Sequence, residues 1–142
     1  MNNKGFGNKG NIGYGHNILF TNGVFTFKYS AHFVNGRTIR YTYDELGNIL
    51  SLTYPGGEIV RYTYYASGRM KSVTDSKGRV TYYTYDKAGN LTVTERPDGT
   101  KETNTYNAAG QLITKTDIRT SDNAVLSEYH YEYDTRGNII SV

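Results

Sequence analysis

One spacing constrains this chain more than any other feature: twenty-one residues. Tyr43, Tyr64, Tyr85 and Tyr106 recur at steps of 21, and Tyr133 follows after 27. Gly47, Gly68, Gly89, Gly110 and Gly137 keep the same steps, and a second glycine series, Gly36, Gly57, Gly78 and Gly99, also advances by 21. The runs read Y-T-Y-D-E-L-G-N from Tyr41, Y-T-Y-Y-A-S-G-R from Tyr62 and Y-T-Y-D-K-A-G-N from Tyr83. N-T-Y-N-A-A-G-Q follows from Asn104 and Y-E-Y-D-T-R-G-N from Tyr131. Self-similarity at a fixed period marks a stack of like supersecondary units, none of which buries its apolar face alone.

Each unit reads as two strands and two turns. After Gly47-Asn48 come I-L-S-L-T-Y, the turn P-G-G-E, and I-V-R-Y-T-Y. Turn signals every 10 or 11 residues around short β-rich runs predict an all-β antiparallel meander, an open or partly coiled sheet of hairpins. Composition agrees: 15 Tyr and 16 Gly favour strands and turns. The length of 142 residues allows a core, yet only 37% of residues are hydrophobic, against about 45–50% in an average domain. Alternation puts Tyr62 with Tyr64, Tyr83 with Tyr85 and Tyr131 with Tyr133 on one face, where neighbouring repeats would stack them into ladders.

The D-x-x-G element has a mechanical role. Asp44, Asp86 and Asp134 are expected to start turns by accepting backbone N–H groups, and the glycine three residues on supplies φ > 0 and allows a bulge. Asn107 replaces the aspartate in one repeat and keeps the local bond, whereas Tyr65 in another cannot make it. Tyr43, Tyr64, Tyr85, Tyr106 and Tyr133 are therefore ladder residues. Asp44, Asp86, Asn107 and Asp134, with Gly47, Gly68, Gly89, Gly110 and Gly137, are turn residues; none is a catalytic series. Residues 117–128, D-I-R-T-S-D-N-A-V-L-S-E, lengthen the last repeat by six and read as an inserted polar loop.

Y-T-Y-D-x-x-G-N-L followed by V-T-x-R-P-D-G-T resembles the tyrosine–aspartate (YD) repeat over residues 36–142. That repeat builds the shells of rearrangement-hotspot (Rhs) proteins, insecticidal toxin-complex proteins and teneurins. The resemblance implies a spiralling β-sheet and an extracellular or cell-surface location. It does not carry toxin activity over. About five repeats are too few to close a shell, no self-cleavage segment follows them, and the sequence ends inside a repeat at I-I-S-V.

Residues 1–17 hold five Gly and five Asn and read as an N-terminal arm. Such a composition does not order itself, so the arm is expected to dock on a neighbouring copy. Residues 18–40 read as a hairpin at Asn22-Gly23 followed by a degenerate half-repeat. One face of its long strand carries Phe25, Phe27 and Phe33, which with Ile139 and Ile140 are the expected self-association residues. Residues 41–142 are the repeat sheet. The first 40 residues carry five basic side chains and no acid, while the remainder carries 11 basic and 13 acidic. Five scattered charges make no nucleic-acid arm; they suit the mildly acidic body of another copy.

Catalysis finds little support. Zero Cys removes disulfides, thiolate metal sites and cysteine nucleophiles. His16, His32 and His130 show no metal-ligand spacing. His130-Tyr131-Glu132 matches H-x-E but lacks the P-C-x-x-C partner of a zinc deaminase. G-F-G-N-K-G at residues 5–10 follows no strand and opens no helix. No cofactor is expected, no run is long and apolar enough for a membrane span, and no signal peptide is visible. Three readings remain: a non-catalytic structural protein that self-associates through sheet edges and its N-terminal arm into an extracellular fibre; a truncated shell segment of an Rhs-type toxin; and a module that binds glycans along its tyrosine rows.

Overall fold

The computed structural model describes residues 37–142 in full and the backbone course of 13–21 and 24–34; residues 1–12, 22–23 and 35–36 lie outside the described residues. No helix occurs among the described residues. The strands are β1 Gly13–Thr21, β2 Val24–Val34, β3 Arg37–Tyr43, β4 Ile49–Thr53, β5 Ile59–Tyr64, β6 Met70–Thr74 and β7 Val80–Tyr85. They continue with β8 Leu91–Glu95, β9 Thr100–Tyr106, β10 Leu112–Arg119, β11 Val125–His130, β12 Glu132–Tyr133 and β13 Ile139–Ser141.

The chain forms two compact units, residues 1–62 and 63–142. In the first, the hydrogen-bonded order is β1-β2-β3-β4-β5; in the second it is β6-β7-β8-β9-β10-β11, with β12-β13 as a separate pair. Every described pairing is antiparallel, and strand order follows chain order, so the predicted meander is what forms. In neither unit does the sheet close on itself.

Strand β1 begins at Gly13, which corrects the expected arm: residues 13–17 pair with β2, from Gly13 opposite Phe33 to Asn17 opposite Tyr29. A backbone ladder needs only N–H and C=O groups, so a Gly/Asn-rich segment can join it. Asn22, Gly23 and Gly36, and with them the expected turn at Asn22-Gly23, lie outside the described residues; on either side of it Thr21 faces Val24.

Both glycine series close the same turn. In eight turns starting at Asp44, Tyr54, Tyr65, Asp75, Asp86, Arg96, Asn107 and Asp134, the first residue's N–H donates to the carbonyl four residues on, and the glycine N–H donates back to the first residue's carbonyl. All eight glycines have φ between 78° and 94°. The series differ one pair further out. Around Gly57 pairing runs straight, Thr53 to Ile59 and Leu52 to Val60. Around Gly47 it slips, Tyr43 facing Ile49 but Thr42 facing Ser51, so Leu50 is an extra residue. Thr92, Ile113 and Ile140 are extra in the same way. An odd repeat of 21 would turn every tyrosine to the opposite face at each step, and one bulge per repeat restores the parity. Tyr62, Tyr64, Tyr83 and Tyr85 are accordingly half-buried, with exposed Thr63 and Thr84 between them.

The core that the length allows does not form among the described residues. None of their hydrophobic side chains is buried; the buried residues are Ser72, Thr94, Glu102 and Asn104, all polar. Strands touch their neighbours in sequence, and a sheet must be covered by another layer before its apolar face leaves water.

The expected loop at 117–128 also needs correction. Asp117 to Arg119 extend β10, Val125 to Glu128 belong to β11, and only 120–124 form the turn, with Asn123 at φ 57°. The six extra residues lengthen a hairpin because Asp117 and Ile118 find ladder partners in Ser127 and Val125. The tip is tied down: the Thr120 N–H and Oγ1 both donate to the Gly99 carbonyl, at 2.8 and 2.9 Å.

Candidate functional site

The D-x-x-G-N turns come first because they repeat. Asp44 Oδ1 accepts the N–H groups of Leu46 and Asn48 at 3.0 and 2.8 Å, and Oδ2 accepts the Asn48 side-chain amide at 2.8 Å. Asp86 and Asp134 repeat the pattern with Asn90 and Asn138. Asn107 Oδ1 likewise accepts the Gln111 N–H at 3.0 Å, but its side-chain amide donates to Gln111 Oε1 at 2.7 Å, reversing the second bond. The bonds from Asn48, Asn90 and Asn138 hold the three aspartates below their ordinary value. These carboxylates are saturated locally, which is a turn's chemistry and not a proton-transfer site.

Tyr65 keeps the backbone turn without a carboxylate and spends its side chain elsewhere. Its hydroxyl donates to the Tyr83 carbonyl at 2.9 Å, and its ring meets Tyr85 edge-on, centroids 6.2 Å apart. Arg69 stands where Asn48, Asn90, Gln111 and Asn138 stand in the other turns of the Gly47 series. It lies 5.9 Å over the Tyr85 ring and across Gly89, where a Cβ would strike its guanidinium. Lys71 sits 5.8 Å over the Tyr65 ring. The departure from the motif thus turns a local bond into contacts between hairpins.

Two of the ladder tyrosines reach across repeats by their hydroxyls. Tyr106 donates to the Leu91 carbonyl and Tyr133 to the Leu112 carbonyl, each at 2.8 Å. Tyr41 and Tyr43 stack at 6.4 Å along one strand. On the opposite face runs a periodic set that sequence reasoning missed. Thr42 bonds Ser51 at 2.7 Å, Thr63 bonds Ser72 at 2.7 Å and Thr105 bonds Thr114 at 2.6 Å. The signal was present: the central Thr of Y-T-Y or N-T-Y, with a hydroxyl nine residues later. Thr84 faces Val93 instead, and its carbonyl takes a bond from Thr92.

In the fourth repeat the tyrosine face becomes ionic. Arg96 bridges Glu102 at 2.6 Å and Asp117 at 3.0 Å, and Lys115 reaches Glu102 at 3.1 Å. Asn104, in the place of the first ladder tyrosine, donates to Glu102 at 2.9 Å, and Ser127 donates to Asp117 at 3.1 Å. Desolvation pushes the Glu102 carboxyl up, but bonds from Asn104, Lys115 and Arg96 outweigh it and leave it below the ordinary value. Beside the cluster, Asp75, Arg79, Thr81, Tyr83, Thr94, Arg96, Pro97 and Asp98 line a groove of about 560 Å³. No group of three or more His, Cys, Asp or Glu among the described residues is placed to hold a metal ion. His130 is exposed, 3.6 Å from Glu128.

The last feature is an edge. Among the described residues, β11 pairs with β10 on one side only, and β13 pairs with β12 alone. The Tyr131 N–H donates to the Ile113 carbonyl at 2.9 Å, so β12 prolongs the line of β11. Ile139 and Ile140 are exposed, at 55% and 64%. Phe25, Phe27 and Phe33 lie on β2, and their side chains lie outside the described residues.

No helix among the described residues is long and apolar enough to cross a membrane. A search of curated proteins finds no match. Among solved structures, the crystal structure of TcdB2-TccC3-Cdc42 matches at 22% identity with a TM-score of 0.64, over 86% of this chain and 7% of that one. TcdB2-TccC3-TEV and TcdB2-TccC3 without its hypervariable C-terminal region match at 23% identity over the same shares, with the same TM-score. The chain thus spans about 7% of the length of these chains, and the likeness is one of fold. Residues 23–59 and 64–101, more than half of the sequence, match the family described as RHS Repeat. With a period of 21, bulges at Leu50, Thr92, Ile113 and Ile140 and an open meander of hairpins, this chain belongs to the RHS-repeat family.

Proposed function

We propose that the chain is a non-catalytic structural element, acting outside the cell, whose copies join through sheet edges into an extended assembly. The observation that carries this reading is the open strand order: among the described residues, hydrogen-bonded pairing stops at β1 in one unit and at β11 and β13 in the other. Unpaired edges template further strands, and head-to-tail joining that does not close gives a filament. Electron microscopy of the purified protein at low micromolar concentration tests it. Fibres are the expected result; uniform particles of monomer size would overturn it.

A second reading has its own support. The chain matches a small part of much longer chains with the same fold, so its edges could instead join further hairpins of an RHS-type wall. A stable monomer in solution favours that reading. The groove beside Tyr83 supports glycan binding: one ring, threonine hydroxyls and charged groups of both signs suit a polyhydroxylated ligand. Glycan-array binding that Tyr83→Ala abolishes would establish it.

A further inference from the structure

Exposed apolar side chains are not spread evenly over the described residues. Ten large hydrophobic residues are exposed, and six of them, Val125, Leu126, Tyr129, Ile139, Ile140 and Val142, lie on β11, on β13 or just after it. The backbone of β11 has no partner on its outer side among the described residues. β13 begins a ladder along β12 but reaches only Glu132 and Tyr133, so the six residues of β11 beyond it have no strand on that side. A bulge at Leu126 is the one device that breaks the line of this edge. Neither β11 nor β13 carries proline or lysine, the residues that usually blunt an edge.

Charge indicates the occupant. Residues 117–134 carry five carboxylates, Asp117, Asp122, Glu128, Glu132 and Asp134, against one arginine, Arg119. The first 40 residues carry five cations and no acid. Strand β1 ends the order of the first unit, is bonded among the described residues to β2 alone, and has no charge or proline in G-Y-G-H-N-I-L-F-T. Opposite fields of this kind steer encounter and set orientation, while main-chain bonds and apolar burial supply affinity.

We propose that the stepped edge formed by β11 and β13 is the acceptor surface for the basic head of a second copy of this chain, with β1 as the incoming strand. The proposal rests on the self-association reading and adds which edge, which strand and which charges. Sedimentation velocity on the full chain across a concentration series tests it. Three variants are compared with wild type: Leu126→Lys/Ile140→Lys on the edge, Glu128→Lys/Glu132→Lys for the field, and Leu46→Lys as control, since Leu46 is 83% exposed in a turn of the first unit and lies on neither β11 nor β13. The wild type should form large species that added salt weakens, and Leu46→Lys should match it. The edge variant should need at least tenfold more protein to assemble, and the charge reversal should slow assembly and abolish its salt dependence. The charge variant leaves the apolar residues in place, so it decides the matter if the edge variant misfolds. A wild type that stays monomeric would sink the self-association reading itself. A wild type that assembles no better than the edge variant and the charge variant would overturn only the placement, and loss of assembly in Leu46→Lys to the same degree would reduce it to general stickiness.

Discussion

At the scale of single residues, the repeat asks for glycine where the backbone turns over. Gly89 sits at φ 94°, and the Arg69 guanidinium of the preceding repeat covers the spot where a side chain would begin. Gly89→Val should therefore lower stability by about 1–3 kcal/mol, since a β-branched residue is strained there. Thermal melting checks this, and an unchanged Tm would refute the turn. The aspartates of the turns predict a pH response. Asp86 is held below its ordinary value of 3.8 in the fold, so its stabilising effect is complete above that value and is lost as pH falls through the lowered one. Asp86→Asn keeps the acceptor, as Asn107 does, and loses the titration. Its acid unfolding curve should be flatter than that of the wild type, and identical curves would show that the carboxylate contributes nothing.

At the scale of elements, the bulge and the ionic cluster decide how hairpins stack. Glu102 on β9 takes bonds from Arg96, Asn104 and Lys115, and it is one of the four buried residues. Glu102→Ala would leave those donors without their shared acceptor, so it should cost about 1–3 kcal/mol in a urea titration. Tyr83, outside the cluster, should keep its position. A loss below about 0.3 kcal/mol would mean that the bridges are dispensable, as exposed ones usually are. The lengthened β10–β11 hairpin belongs to the same set, because Asp117 serves both the ladder and the Arg96 bridge.

At the scale of the molecule, each unit holds together through neighbouring strands, with no buried hydrophobic side chain among the described residues. Stability in such arrays is a sum over neighbours. Urea unfolding should be broad, with an m-value in the lower part of the usual range of about 1–3 kcal/mol/M, and tyrosine fluorescence and circular dichroism should not coincide. A single sharp transition with a larger m-value would show a cooperative core. The residues alone determined the repeat, its hairpins, the turn glycines and which tyrosines share a face within one strand, because period and turn chemistry are local and recur. They could not reveal that Arg69 crosses to Gly89 and Tyr85, that residues 117–128 extend strands, or that the buried positions are polar. Those outcomes depend on which side chains adjacent hairpins bring within bonding distance. Sequence spacing does not encode that distance until the strands are in register and one bulge per repeat has set their faces.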